Sequence, residues 1–96
     1  MRTEQIEIPA VHPVFPGHFP DLPLVPGALL LDLILVAFGA PVAAITSAKF
    51  LQPVGPGDRL LVRFTPASQG PAMRFDCTRS DERVCSGVLL PAPEQR

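Results

Sequence analysis

Six prolines fall within the eighteen residues from Pro9 to Pro26, and the twelve residues that follow contain a single polar side chain. Each proline ring fixes φ, removes a backbone donor and biases the preceding residue to extended geometry, so regular helix is excluded across that stretch. The same stretch carries Val11, Val14, Phe15, Phe19, Leu22, Leu24 and Val25, which is too apolar for a solvated linker. It predicts a stiff loop packed down on something. Thirteen prolines in 96 residues would otherwise point to disorder. However, 47% of the chain is hydrophobic, enough apolar surface to drive collapse.

The segment from Pro26 to Gly39 predicts a helix. Proline at the first turn and glycine just past the last are the expected start and stop, and the apolar run exceeds ten residues, longer than a buried strand. A helix that is apolar all round is expected to be buried all round. Asp32, alone in the middle of Leu29, Leu30, Leu31, Leu33, Ile34 and Leu35, is therefore an anomaly that asks for an explanation.

The flanking segments read as strands. Thr3 to Ala10 places Ile6 and Ile8 on one face before Pro9 stops it, as an edge strand would. Val42 to Leu51 is a second strand, followed by the turn cluster Pro53-Val54-Gly55-Pro56-Gly57-Asp58. Leu60, Val62 and Phe64 alternate with Arg59, Leu61, Arg63 and Thr65; Met73, Phe75 and Cys77 alternate with Arg74, Asp76 and Thr78. A tight turn at Ser80-Asp81-Glu82 returns the chain through Arg83 to Leu90. If Arg79 pairs with Arg83, Cys77 lies opposite Cys85. One helix packed on an antiparallel sheet is an α+β layout, and a sheet long enough to wrap the helix would account for its apolarity.

Size and composition bound what such a chain can be. Residues 1–96 predict a single domain. A domain of this size buries only roughly 60–65% of the surface of its unfolded chain. With 18% charged residues it is lean in solubilising charge, which suggests a partner surface. A net charge of −1 gives no general drive toward nucleic acid or anionic membrane. No apolar run approaches the ~20 residues of a membrane span. Met1-Arg2-Thr3-Glu4 leads into polar alternation and not an apolar leader, which predicts a cytoplasmic chain with reduced thiols. Cys77 and Cys85 show no ligand spacing for a metal and read as core filler.

The run His18-Phe19-Pro20-Asp21-Leu22-Pro23-Leu24-Val25-Pro26-Gly27-Ala28-Leu29-Leu30-Leu31-Asp32 resembles the H-F-P-x-x-P-x-x-P-G-x-L-x-x-[ED] segment of the β-hydroxyacyl-acyl-carrier-protein dehydratases. Lys49-Phe50-Leu51-Gln52-Pro53-Val54-Gly55-Pro56-Gly57-Asp58-Arg59-Leu60 resembles the K-F-x-x-P-V-x-P-G-D-x-L segment of the same family. The two motifs stand in the family's order, and the likeness runs from about Ile6 to Leu90. It implies the hotdog fold, a sheet wrapped around one helix, and a homodimer whose sheets join edge to edge. It further implies dehydration of a 3-hydroxyacyl thioester on acyl carrier protein, in fatty-acid or polyene-type biosynthesis, without cofactor or metal.

The chemistry independently asks for such residues. Removing water from a 3-hydroxyacyl thioester needs a base for the Cα proton, an acid for the departing hydroxyl and a donor for the thioester oxygen. Histidine has a suitable pKa with little tuning, and His18 precedes the loop that runs into the helix. A carboxyl desolvated among leucines would stay protonated at higher pH than usual, which is the expectation for Asp32. Gly27 stands where free backbone amides and the helix dipole meet. The resemblance assigns the same roles to His18, Asp32 and Gly27, and draws the histidine from one subunit and the carboxylate from the other. Phe15, Phe19 and Pro26 are candidate substrate-lining residues beside Gly27. His12 reads as loop packing, and Arg59, Arg63 and Arg74 as a solvated sheet face that an acidic carrier would suit.

Two departures stand out. Asp21 occupies a position where the family commonly has glycine. Asp32 stands where one branch has glutamate and another aspartate; the shorter side chain draws the carboxyl back by about 1.5 Å, a displacement large enough to matter for rate. Two other classes compete: a hotdog thioesterase, whose helix carboxylate would direct water at the thioester without His18, and a non-catalytic accessory subunit that binds acyl carrier protein.

Overall fold

A computed structural model describes residues 2–9 and 27–93 of the chain. The stiff loop expected over 10–26, with His12, Phe15, His18, Phe19 and Pro26, lies outside the described residues. The elements are β1 (Arg2–Glu7), α1 (Gly27–Phe38), β2 (Val42–Phe50), β3 (Arg59–Pro66), β4 (Met73–Arg79) and β5 (Glu82–Pro91). The strands form one antiparallel sheet in the order β1-β3-β4-β5-β2. No helix of the described residues is long and apolar enough to cross a membrane.

The period-two patterns sort the side chains as expected. Ile6 and Ile8, then Leu60, Val62 and Phe64, then Phe75 and Cys77, are all buried on the inner face. Each large apolar side chain taken fully out of water stabilises the fold by about 1.5–3 kcal/mol. β1 is an edge strand, paired with β3 from Arg2↔Phe64 to Glu7↔Arg59. That register sets Arg2 over Phe38 and Phe64, with its guanidinium 5.2 Å from each ring centroid. Arg2 also donates hydrogen bonds to the carbonyls of Ala37 and Phe38, so a β1 cation satisfies the free acceptors at the end of α1, where the helix dipole is negative. Gly39 follows at φ +77°, a left-handed stop that glycine adopts without penalty.

The β4–β5 hairpin differs from the expected pairing in one respect. Ser80 and Asp81 have φ of 49° and 68°, the pattern of a two-residue type I′ turn, so Arg79 pairs with Glu82 rather than Arg83. A register shift between Cys77 and Thr78 restores the expected Cys77↔Cys85 pair. Val84 is the extra residue, a β-bulge. This is why Val84 and Cys85 are buried in succession.

Burial pushes the Cys77 thiol up to about 12, with Cys85 adding a smaller rise, and pushes the Cys85 thiol up to about 11, from an ordinary 9.0. A thiol whose folded pKa is raised contributes stability that is complete below the unfolded value and lost as pH climbs through the folded one. Stability is therefore expected to decline between about pH 9 and 12. At pH 8, iodoacetamide should label neither cysteine in the folded protein and both after denaturation, as counted by mass spectrometry; prompt labelling of the folded chain would contradict this.

The helix is the main departure. Its buried residues are Leu30, Ile34 and Phe38, one stripe four residues apart, facing β1 and β3. Phe38 meets Phe64 edge-on, with centroids 5.2 Å apart. Burial all round, expected from the sequence, is not reached within one chain: Ala28, Asp32 and Val36 are exposed, Val36 to 76%. Among the described residues, the sheet reaches one side of the helix, and Ala28, Asp32 and Val36 on the other side stay exposed.

Candidate active site

Where α1 begins, it meets the end of β2 and the segment leading to β3. Among the described residues, Gly27, Leu30, Phe50, Leu51, Gln52, Pro53 and Val54 line an open cleft of about 480 Å³ there, within the ordinary size range of ligand sites. Its walls are mostly apolar. Phe50 and Leu51 are 49% and 41% exposed, an unusual display of large apolar side chains on a chain so poor in surface charge.

Each wall has a local cause. Gly27 is the first residue of α1, so its amide has no intrahelical acceptor. A Cβ at Gly27 would lie 2.9 Å from the Phe50 ring, so the missing side chain is what allows that ring to pack across the helix start. Gly27 thus makes room for the Phe50 ring and lines the cleft at the same point. On the opposite wall, Leu51 and Gln52 donate backbone hydrogen bonds to the carbonyl of Val84, at 2.9 and 3.4 Å. The bulge in β5 is thus put to use: the carbonyl of its extra residue carries the cleft wall. Farther along, Arg79 donates to the Pro53 carbonyl at 3.0 Å and to Asp58 at 2.8 Å. The hydrogen bond to Asp58, and after it the one to Glu82, hold Arg79 above the ordinary arginine value.

Of the residues singled out in the sequence, the structure describes Gly27 and Asp32. Gly27 lines the cleft; Asp32 does not. The carboxylate is exposed in the single chain, which corrects the expectation that neighbouring leucines desolvate it. Those leucines flank Asp32 in sequence and project elsewhere around the helix. Five residues separate Gly27 from Asp32, or about 140° around the helix and about 7.5 Å along it. The two residues therefore face apart within one chain. If both serve one substrate, the carboxylate must come from a second copy. β2 offers a route to it, since its outer edge has no strand partner among the described residues and carries mainly small side chains with one charge, Lys49. Such an edge is poorly protected against pairing with another strand.

Sequence reasoning did not single out Phe50, Arg79 or Asp58 for the site. Phe50 and Asp58 stand inside the second motif, and a charged residue in a Gly-Pro turn is a signal that a partner exists. Nothing in the sequence points to Arg79 as that partner.

Comparisons with known proteins agree on the affiliation. Residues 2–88 match the model of the ApeI-like family, described as ApeI dehydratase. The 3-hydroxyacyl-acyl-carrier-protein dehydratase FabZ of Aliivibrio fischeri is 39% identical over 95 residues, covering 80% of this chain and 63% of the relative. FabZ of Vibrio cholerae is 39% identical, with 80% and 62% covered. The chain thus spans somewhat under two thirds of the length of these relatives. Among solved structures, the dehydratase heterocomplex ApeI:P from Xenorhabdus doucetiae superposes with a TM-score of 0.75 at 25% identity, over 95% of this chain and 86% of that one. An uncharacterized protein from Erwinia carotovora superposes with a TM-score of 0.72 at 25% identity, over 95% and 82%. The antiparallel sheet with its single helix is the hotdog fold, and the chain belongs to the ApeI-like dehydratase family.

Proposed function

We propose that this protein dehydrates a 3-hydroxyacyl thioester to the trans-2-enoyl thioester, at a site assembled from two copies of the chain. Family membership supports the reaction class. The observation that carries the shared site is the opposed placement of Gly27, on the cleft, and Asp32, on the exposed face of the same helix. In the reaction, His18 of one copy takes the Cα proton and the electron pair forms the Cα–Cβ double bond. The Cβ–O bond breaks as Asp32 of the other copy delivers a proton to the departing hydroxyl, releasing water. The Gly27 amide holds the thioester oxygen, which gains charge as the Cα proton leaves. The base ends protonated and the acid deprotonated, and exchange with solvent resets both. The apolar cleft takes the acyl chain, and acyl carrier protein presents it.

A second reading has its own support. The similar structure from Xenorhabdus doucetiae is a heterocomplex, and the exposed helix face and β2 edge of this chain would equally accept a different hotdog chain, with this one as an accessory subunit. The two separate cleanly. Purified protein is mixed with 3-hydroxyacyl thioesters of acyl carrier protein and of coenzyme A, and enoyl absorbance is followed. Product from the chain alone supports the first reading. No product from a folded dimer on either carrier would overturn it.

A further inference from the structure

We infer that Arg79 is a positioning residue for the cleft, fixing together with Asp58 the wall at Pro53 and Val54 and so setting how tightly an acyl chain is held. The inference rests on the reading of that cleft as the acyl site.

The wall belongs to a segment without regular structure, Leu51 to Asp58, in which two of eight residues are proline and Gly57 turns the chain at φ +84°. Its two ends are tied to strands. Leu51 and Gln52 bond to Val84, while Gly57 and Asp58 exchange backbone hydrogen bonds with Ile8 at 3.0 and 2.9 Å. Between those ends, the hydrogen bonds among the described residues that reach another element come from Arg79 alone. Its Nη1 donates to the Pro53 carbonyl at 3.0 Å and to Asp58 Oδ2 at 2.8 Å, and its Nη2 to Glu82 at 3.2 Å. Asp58 Oδ2 in turn accepts the Gly55 amide at 2.9 Å. One guanidinium thus joins the end of β4, the turn into β5 and the middle of the cleft wall.

This arrangement differs from an ordinary surface ion pair, which contributes little. Both partners are only 29% exposed, and the pair carries a backbone carbonyl and a backbone amide with it. The chemistry also requires arginine. A lysine ammonium lacks the planar fork that reaches a carbonyl and two carboxylates at once. Arg79 lines no part of the cleft, so it acts on the substrate only through Pro53 and Val54. Loss of such a contact should weaken binding of the acyl chain without altering the proton transfers, which appears in KM and not in kcat.

The test compares wild type with Arg79→Ala, Arg79→Lys and Asp58→Asn on 3-hydroxyacyl thioesters of short and long chain, alongside hydrogen exchange at the Gly55 amide. In Arg79→Ala, KM for the long-chain thioester should rise about tenfold with kcat within about twofold. The short-chain substrate should respond less, Arg79→Lys should lie between, and Gly55 exchange should quicken. Asp58→Asn should reproduce the pattern, and the double variant should add little to it, as expected of residues acting as one unit. Unchanged Gly55 exchange, or quickened exchange with an unchanged KM profile, overturns the inference. If wild type turns over no thioester, the acyl reading fails by itself; quickened exchange at Gly55 would then still support the clamp on the wall, and unchanged exchange would remove it.

Discussion

Replacing His18 by alanine is expected to lower kcat for dehydration by about 10³-fold, and Asp32→Asn by a similar factor, the usual scale for losing a general base or acid. Both kcat and kcat/KM should fall together, because each group is invoked for a proton in the transition state and not for holding the ground state. Stability should be nearly unchanged for Asp32→Asn, since Asp32 is exposed in the single chain and the substitution conserves shape. A fall in activity without a fall in melting temperature therefore separates chemistry from folding. Asp32→Glu is informative in the other direction. It extends the acid by about 1.5 Å, a displacement that positioned catalysis notices, so activity should drop by less than with asparagine and not vanish. A thioesterase would behave otherwise, with His18→Ala leaving hydrolysis intact.

Gly87→Ala is expected to destabilise the fold by about 2–4 kcal/mol, among the larger effects a single methyl group can have. Gly87 stands in β5 opposite Phe75 on one side and Ala48 on the other. A Cβ there would lie 2.3 Å from the Ser47 carbonyl oxygen and 2.5 Å from the Phe75 ring. The ring could swing aside; the carbonyl belongs to the backbone of β2 and could move only by displacing that strand. Ordinarily a glycine in a strand is unfavourable, and alanine would gain about 0.4–1 kcal/mol through the unfolded chain. Here the clash exceeds that gain. Gly57 provides the contrast, because a Cβ there meets nothing within 4 Å while φ is +84°. Gly57→Ala should cost about 1–2 kcal/mol for the left-handed backbone alone. Urea denaturation of both variants checks the order; a Gly87→Ala protein as stable as Gly57→Ala would contradict the steric account.

How far the sequence carries depends on whether a signal is local. Helix α1 was legible because Pro26 and Gly39 bracket an apolar run, each acting within one turn of itself. The inward faces of β3 and β4 were legible because alternation needs only neighbouring residues. The Cys77↔Cys85 pair was anticipated from a register that holds there but fails at Arg79. Ser-Asp is not the Asn-Gly or Asp-Gly signature of a two-residue turn, and a bulge leaves no mark in composition. Burial of the helix was overestimated because apolarity reports that a face will be covered and not by which chain. Arg79 escaped notice because its bond to Asp58 spans 21 residues, a distance that strand order alone bridges. The candidate catalytic set rests on motif and chemistry for His18 and on placement for Gly27 and Asp32.

The central claim is that one copy supplies the base and the other the acid, and mixing two inactive variants tests it most directly. His18→Ala and Asp32→Asn proteins are denatured together in equal amounts, refolded, and assayed for enoyl product. Random pairing makes half of the dimers mixed, and each mixed dimer holds one site with both His18 and Asp32 intact. About a quarter of wild-type activity should therefore return, as expected when one intact site per mixed dimer suffices. A mixture that forms mixed dimers, verified by a mass tag on one variant, yet stays as inactive as its parents would contradict the shared site.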